Sequence, residues 1–119
     1  MNEIGLFDIN FDTGDCYWSF ELKRMLGVRH DAPTEFHLLL QCIHPADRRA
    51  FGRNAMQPFR FDCPRHSSID FRVIHNDDRV HWLHMERRAI VREGDSKDVV
   101  RIVGFALEIG APAGLSRAA

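Results

Sequence analysis

The chain has 119 residues, with 16 basic and 17 acidic side chains, which leaves a formal net charge of -1 at pH 7. This length suits a single domain that buries enough apolar surface to fold without disulfides or a structural metal. The balanced charge lacks the dense basic stripe that phosphate backbones require, so nucleic acid is not expected as a partner.

Neither the apolar runs nor the cysteines indicate a membrane or secreted protein. No apolar run approaches the roughly 20 residues that span a bilayer, and the N-terminus lacks the layout of a signal peptide. We therefore expect a soluble segment without direct membrane insertion, which is compatible with a membrane-anchored parent chain. Cys16, Cys42 and Cys63 are odd in number and lack a CxxC spacing, which predicts free thiols in the cytoplasm.

The first part of the chain predicts a hairpin followed by a short helix. Residues 4–11 alternate apolar and polar side chains, and residues 12–15 supply turn formers before a short aromatic strand at 16–18. Ser19 can cap a short helix, and Gly27 suits the left-handed position that ends it.

Two more helices are predicted on either side of the segment Ile43-His44-Pro45-Ala46-Asp47-Arg48. Apolar side chains three and four residues apart predict the first helix over residues 34–42. The residue before a proline leaves the helical region, so His44 should end that helix. Asp47 is expected to cap a second helix over residues 48–56 by accepting from its first free amides, and Pro58 closes that helix.

Three long strands are predicted at residues 67–75, 80–92 and 99–109. The last strand is apolar on both faces, whereas an antiparallel sheet normally exposes one face to water. We therefore expect a partner chain or a flanking helix to cover its outer side. The residues assigned to this outer dimer and output face are Val100, Ile102, Ala106 and Glu108. Residues 1–109 are taken as one domain and 110–119 as a C-terminal linker.

These pieces, in this order, resemble the PAS domain, more narrowly the PAS fold-3 type found in bacterial sensor histidine kinases and diguanylate cyclases. The matching segments are Gly5-Leu6-Phe7-Asp8-Ile9, Thr13-Gly14, Trp18-Ser19, Leu26-Gly27, His44-Pro45-Ala46-Asp47-Arg48, Phe71-Arg72-Val73, Val80-His81-Trp82-Leu83 and Ile102-Val103-Gly104-Phe105. The resemblance implies an α+β fold, in which a five-stranded antiparallel sheet carries short helices packed on one face.

The same resemblance implies a non-catalytic sensory module of a two-component system or a cyclase. Such a module forms a homodimer and passes a ligand or dimer signal to a C-terminal output domain in the same chain. Two segments depart from the family pattern. Asn76-Asp77-Asp78 replaces the usual Asp-Gly turn, so an Asn or Asp must take a left-handed conformation there. Glu108-Ile109-Gly110 replaces Asp-Ile-Thr at the end of the last strand and loses its hydroxyl group.

The candidate ligand pocket is the apolar cleft between the helices and the inner face of the sheet. Its expected lining residues are Phe36, Leu39, Leu40, Ile43, Phe51, Met56, Phe71, Val73, Leu83, Met85, Val103 and Phe105. A small-molecule ligand is one interpretation of this cleft. The alternative is that these large side chains fill the space, which would make the chain a structural homodimerisation module without a ligand.

No catalytic or metal site is predicted. The chain has neither a nucleophile elbow nor a phosphate-binding glycine loop. His81 and His84 are three residues apart on a strand and so point to opposite faces. Only His75 and His81, with Asp77 or Asp78, could converge, at an exposed turn where solvated side chains are the simpler interpretation.

No cofactor is predicted, and haem and flavin are both disfavoured. Residues 48–56 form the helix that would carry a haem ligand, and they contain no histidine. His44 is expected to bond to nearby backbone. Cys42 lacks the polar neighbours of a flavin-binding cysteine and is interpreted as a small core residue. The arginines assigned to a solvated outer sheet face are Arg87, Arg88 and Arg92.

Overall fold

A computed structural model describes residues 3–60 and 65–111 of the chain. The strands are β1 Ile4–Asn10, β2 Cys16–Trp18, β3 His66–Ile74, β4 Val80–Arg92 and β5 Asp95–Ile109. The α-helices are α1 Phe20–Leu26, α2 Phe36–Cys42 and α3 Arg48–Met56, and the short 3-10 turns are Pro45–Asp47 and Gln57–Phe59. Cys63 and residues 112–119 of the predicted linker lie outside the described residues.

The five strands form one antiparallel sheet in the order β2-β1-β5-β4-β3. All three helices precede β3 in the chain, and their buried side chains join the inner face of the sheet in one apolar core. The predicted α+β fold, a five-stranded antiparallel sheet with short helices on one face, is confirmed. Among the described residues, no helix is both long enough and apolar enough to cross a membrane.

Three residues predicted to cap a helix or form a turn have the expected conformation or hydrogen bond. The hydroxyl oxygen of Ser19 accepts a hydrogen bond from the backbone N–H of Leu22 at 3.1 Å, which caps α1. Gly27 ends that helix with φ of 76°, a left-handed conformation that costs glycine little. Asp78 takes the left-handed position in the turn between β3 and β4, with φ of 64°.

The prediction that Asp47 caps α3 is wrong. Asp47 ends a 3-10 turn with helical dihedral angles (φ -102°, ψ -9°), whereas a capping side chain normally needs an extended backbone. Its carboxylate instead accepts three hydrogen bonds from Arg72 on β3: from the backbone N–H at 2.8 Å, from Nε at 3.0 Å and from Nη2 at 2.8 Å. The guanidinium of Arg72 thereby lowers the pKa of Asp47, against the opposing effect of burial.

The whole segment before α3 is attached to β3. The backbone N–H of His44 donates to the carbonyl of Arg72 at 2.8 Å, and Ile43 forms a β-bridge with Val73. The His44 Nδ1 accepts from the backbone N–H of Ala46 at 3.0 Å, which confirms that this imidazole bonds to nearby backbone. This segment therefore holds the α2–α3 junction against the edge strand of the sheet.

The assignment of the two faces of β5 is wrong. Ala106 pairs with Met85, and Ile102 pairs with Ala89, so all four side chains lie on the inner face and are buried. Glu108 shares that inner side, opposite Leu83. The two residues expected in the pocket that lie instead on the outer face are Val103 and Phe105. Val100 falls at the register shift between Ile90 and Val91 and is half-buried.

The hydrophobic pattern of β5 does not indicate which of its faces points inward, because both faces are apolar. A close approach at Gly104 accompanies the observed register. A side chain at this position would come within 2.5 Å of the Phe7 ring and 2.1 Å of the Glu86 carbonyl oxygen. Gly104 therefore allows the aromatic ring of β1 to pack directly over β5.

Candidate functional site

A cavity of about 360 Å³ lies between the helices and the inner face of the sheet. This volume is at the lower end of the roughly 300–1,000 Å³ typical of small-molecule sites. Its walls come from β1, β2 and β5, from all three helices, and from the part of β4 that contains Met85 and Arg87. Among the described residues, none from β3 lines it.

The structure divides the predicted pocket residues into three groups. Those that line the cavity are Phe36, Leu39, Phe51, Met56 and Met85. Those that are packed in or against the core, away from the cavity, are Leu40, Ile43, Phe71, Val73 and Leu83. Val103 and Phe105 are on the opposite face of the sheet, as described above.

The sequence prediction included none of the wall residues that the first hairpin and the loop before α2 contribute. The missed lining residues are Phe7, Ile9, Phe11, Cys16, Trp18, Leu22, Thr34, Glu35, Ala55, Phe59, Arg87 and Ile102. The alternation of Phe7 and Ile9 in β1 with Phe11 directly after it was the available signal, since alternate residues of a strand share one face.

Arg87 is on the inner face of β4, so its assignment to a solvated outer face is wrong. It is 5% exposed and lines the cavity, and its side chain lies over the ring of Phe51 with 5.7 Å from Cζ to the ring centroid. Its Nε and Nη2 have no hydrogen-bond partner within the described part of the chain. Burial lowers the pKa of Arg87 to about 10, so the guanidinium still carries its positive charge at neutral pH. Arg88 and Arg92 are exposed, as predicted.

The other polar groups of the wall differ from Arg87 in having partners or exposure. The Thr34 hydroxyl donates to the Cys16 carbonyl oxygen at 2.8 Å, and Glu35 is exposed. Burial raises the pKa of the Cys16 thiol, so this cysteine stays neutral at physiological pH. Within the described wall, Arg87 is thus the one cation in a mostly apolar cavity.

The histidines near the β3–β4 turn interact with each other and with neighbouring groups. The rings of His75 and His81 stack with centroids 3.9 Å apart. His75 Nε2 lies 2.8 Å from the Met25 carbonyl oxygen, and His81 Nδ1 lies 3.1 Å from a Glu108 carboxylate oxygen. Across residues 3–60 and 65–111, no group of three or more His, Cys, Asp or Glu side chains is arranged to hold a metal ion.

The outer face of the sheet carries an apolar patch on β1 and β5. We call Ile4, Leu6, Val103, Phe105 and Leu107 the outer apolar patch. Leu6 pairs with Phe105 and Ile4 with Leu107, which places these side chains next to one another. Ile4 and Leu6 are 54% and 50% exposed, and the three β5 residues are half-buried. Contiguous exposed apolar surface of this kind commonly marks an interaction site.

Comparisons with known proteins agree with this architecture. The family model for the PAS fold matches residues 15–106, and no curated protein matches the chain. A sensory box histidine kinase/response regulator from Burkholderia thailandensis superimposes with a TM-score of 0.68 at 23% identity, covering 89% of this chain and 76% of that chain. The N-terminal domain of a diguanylate cyclase with PAS/PAC sensor from Marinobacter aquaeolei gives 0.73 at 18% identity, covering 89% and 94%. A LOV protein from Rhodobacter sphaeroides gives 0.61 at 16% identity, covering 95% and 62%.

Proposed function

Because the chain belongs to the PAS family, we propose that it is the non-catalytic sensory module of a bacterial sensor histidine kinase or diguanylate cyclase. In this proposal the module forms a homodimer and passes a ligand or dimer-interface signal to a C-terminal output domain of the same chain. The free thiols of Cys16 and Cys42 favour a cytoplasmic location.

The observation that carries this proposal is the position of β5 between two features. The inner side of β5 contributes Ile102 to the cavity, and its outer side contributes three residues to the outer apolar patch. The strand ends at Ile109, so whatever follows in the chain continues directly from it. A ligand or partner that favours one arrangement of this strand would shift its population and reorient the following segment.

The cavity supports a sensory module over the alternative of a dimerisation module with a filled core. The cavity of about 360 Å³ leaves room for a small molecule, whereas a filled core would leave none. We propose that the occupant is neither haem nor flavin. Residues 48–56, which form α3, contain no histidine, and Cys42 is packed in the core away from the cavity wall.

The dimer can be tested by placing a charge in the outer apolar patch. Leu6→Glu introduces a carboxylate at a half-exposed position opposite Phe105, and burying that charge at an interface is unfavourable. We expect sedimentation velocity to show a dimer for the wild type and at least about a tenfold weaker dimer for the variant.

Phe20→Glu is the matched control, because Phe20 is similarly exposed, at 58%, but belongs to α1 and not to the outer apolar patch. This variant should retain the wild-type oligomeric state. A monomeric wild type at high concentration, or equal dimerisation of all three proteins, would contradict the proposed interface.

A further inference from the structure

The position of Arg87 is unusual for a strand of this sheet. It occupies an inward position on β4, two residues after the buried Met85 and two before the buried Ala89. Its cross-strand neighbours are Gly104 on β5 and Ser67 on β3. Gly104 has no side chain to bond, and the buried Ser67 hydroxyl also lacks a partner within the described residues. The fold therefore brings a cation to the cavity wall without providing an anion for it.

An unpaired cation at this depth is costly. Moving a charged group out of water is unfavourable unless hydrogen bonds and an opposite charge replace its hydration. In the described structure the ring of Phe51 is the one group that compensates the guanidinium, through its π face. Nε and Nη2 are enclosed and unpaired in the described structure, and they form the side-on fork that matches the two oxygens of a carboxylate. A turn of the Arg87 side chain toward the cavity would present this fork to a ligand. An anion in the cavity would provide the opposite charge and the hydrogen-bond acceptors that this guanidinium lacks.

The rest of the wall limits the charge and shape of such an anion. Arg87 is the one cation of the described wall, and Glu35 adds an acid, so a multiply charged ligand would be left with uncompensated negative charge. The remaining surface comes mostly from aromatic and aliphatic side chains such as Trp18 and Leu39, which favour a hydrocarbon body. The volume of about 360 Å³ suits a small molecule.

We propose that the cavity binds an apolar monocarboxylate, whose carboxylate pairs with the Arg87 guanidinium and whose hydrocarbon part fills the space between the helices and β1. This inference rests on the proposed sensory function and specifies the chemical class of its ligand. Binding would join α2 and α3, which form one side of the cavity, to β4 and β5, which form the other.

The test compares carboxylic acids with their neutral amides. Hexanoate, octanoate and decanoate, each beside its primary amide, are titrated into the wild-type protein by isothermal calorimetry at neutral pH. The two members of each pair have the same hydrocarbon chain, so their difference isolates the charge. We expect at least one acid to bind about tenfold or more tightly than its amide, as is typical for a charged hydrogen-bonded pair.

Two substitutions test whether the preference for the acid over the amide depends on Arg87. Arg87→Met keeps an unbranched side chain of similar length and removes the charge, so the preference for the acid should disappear while amide binding remains. Arg88→Met is the matched control, because Arg88 is the adjacent exposed residue on the outer face. It should retain the full preference. Thermal melts should show Arg87→Met folded and at least as stable as the wild type without ligand, since it removes an uncompensated buried charge.

The outcomes separate this inference from the proposed function. Equal affinity for acid and amide, or a preference that persists in Arg87→Met, would overturn the carboxylate inference and leave a sensory pocket of other specificity. If none of these acids and amides binds while Leu6→Glu still weakens the dimer, the carboxylate inference fails. The dimer-based part of the proposed function then stands. Should Arg87→Met not fold, the acid-to-amide ratio of the wild type decides alone.

Discussion

The β3–β4 half of the sheet and the β1–β5 half differ on both of their faces. Under α3 and the segment before it, the inner face of the first half is filled by fully buried side chains such as Phe71, Val73 and Leu83. Its outer face is polar at the centre, where His84 bonds to Asp70 and Glu86, and it carries the exposed apolar residues Val80 and Ile90 farther along β4.

The β1–β5 half has the opposite character. Its inner face, with Phe7 and Ile102, lines the cavity, and its outer face carries the outer apolar patch. The half whose inner face is largely filled, with Met85 and Arg87 of β4 as the exceptions at the cavity, presents a mostly polar outer surface. The half with space inside also presents a surface suited to a partner.

This contrast shows how one small domain can be stable and still keep a cavity and an uncovered apolar surface. A cavity and an uncovered apolar surface both reduce stability, so the remaining core must compensate for them. The compensation comes from packing around Phe71 and from the attachment of Asp47 to Arg72. If the proposed sensory function holds, the cavity and the outer apolar patch place the responding surfaces on the two faces of β1 and β5.

The largest expected effect comes from matched phenylalanine truncations in the two halves. Phe71 is fully buried and packs edge-on against Phe51, with ring centroids 4.8 Å apart, so Phe71→Ala should cost about 3–5 kcal/mol of unfolding free energy. Phe11 is 46% exposed at the cavity wall and contacts Phe59, so Phe11→Ala should cost only about 0.5–1.5 kcal/mol. Urea denaturation measures both, and equal losses would contradict the division into a filled and an open half.

The second effect concerns two arginine–aspartate pairs, one in each half. Asp47→Asn should destabilise the chain by about 1–3 kcal/mol, because the carboxylate accepts a backbone N–H as well as two bonds from the Arg72 guanidinium. Asp8→Asn removes the pair with Arg101 on the exposed outer side and should cost less, since solvent screens that pair.

The pH dependence gives this comparison a second readout. Arg72 lowers the pKa of Asp47, so the contribution of this pair is present above the ordinary pKa of 3.8 and is lost as the pH falls through the lowered value. The gap between wild type and Asp47→Asn should therefore close in strong acid. A gap that stays constant from neutral to strongly acidic pH would show that the carboxylate charge is not what holds the junction.

The elements of the fold were predictable because each is set by local chemistry. Ser19 and Gly27 mark the two ends of α1, and the predicted range 48–56 of the helix after Pro45 matches α3. The predicted strands agree with β1, β3 and β4 to within a residue at either end, and β5 begins earlier than predicted, at Asp95. Alternation in β3 and β4 also gave the correct inner face, since each strand has one polar side.

The candidate site was less predictable, for two physical reasons. In β5 both alternating sets are apolar, so only pairing with β1 and β4 fixes which side faces inward. Asp47 could satisfy either a helix terminus or a distant arginine, and the choice depends on Arg72, which lies 25 residues away in the chain.

The assignment of Arg87 to the outer face was wrong because it followed from the charge of the side chain and not from the position of the residue in the strand. Its odd-numbered position, between Met85 and Ala89, already indicated an inward side chain. Charged side chains are rarely buried without a partner, so an arginine at an inward strand position is more typical of a functional site than of a structural one.

The smallest expected effect is a pH dependence confined to the outer face of the filled half. Hydrogen bonds that the imidazole donates to the carboxylates of Glu86, the larger effect, and Asp70 raise the pKa of His84. Its Nδ1 lies 2.6 Å from Asp70 Oδ1, and its Nε2 lies 2.9 Å from Glu86 Oε2. Because the folded pKa is raised, this stabilisation is complete below the unfolded value of about 6.5 and is lost as the pH rises through the folded value.

Urea denaturation across that range should show stability falling for the wild type and a flatter profile for His84→Gln. The pair of Asp8 and Arg101 does not titrate in this window, so Asp8→Asn should keep the wild-type slope. A slope that is unchanged in His84→Gln would mean that a group other than His84 causes the pH dependence.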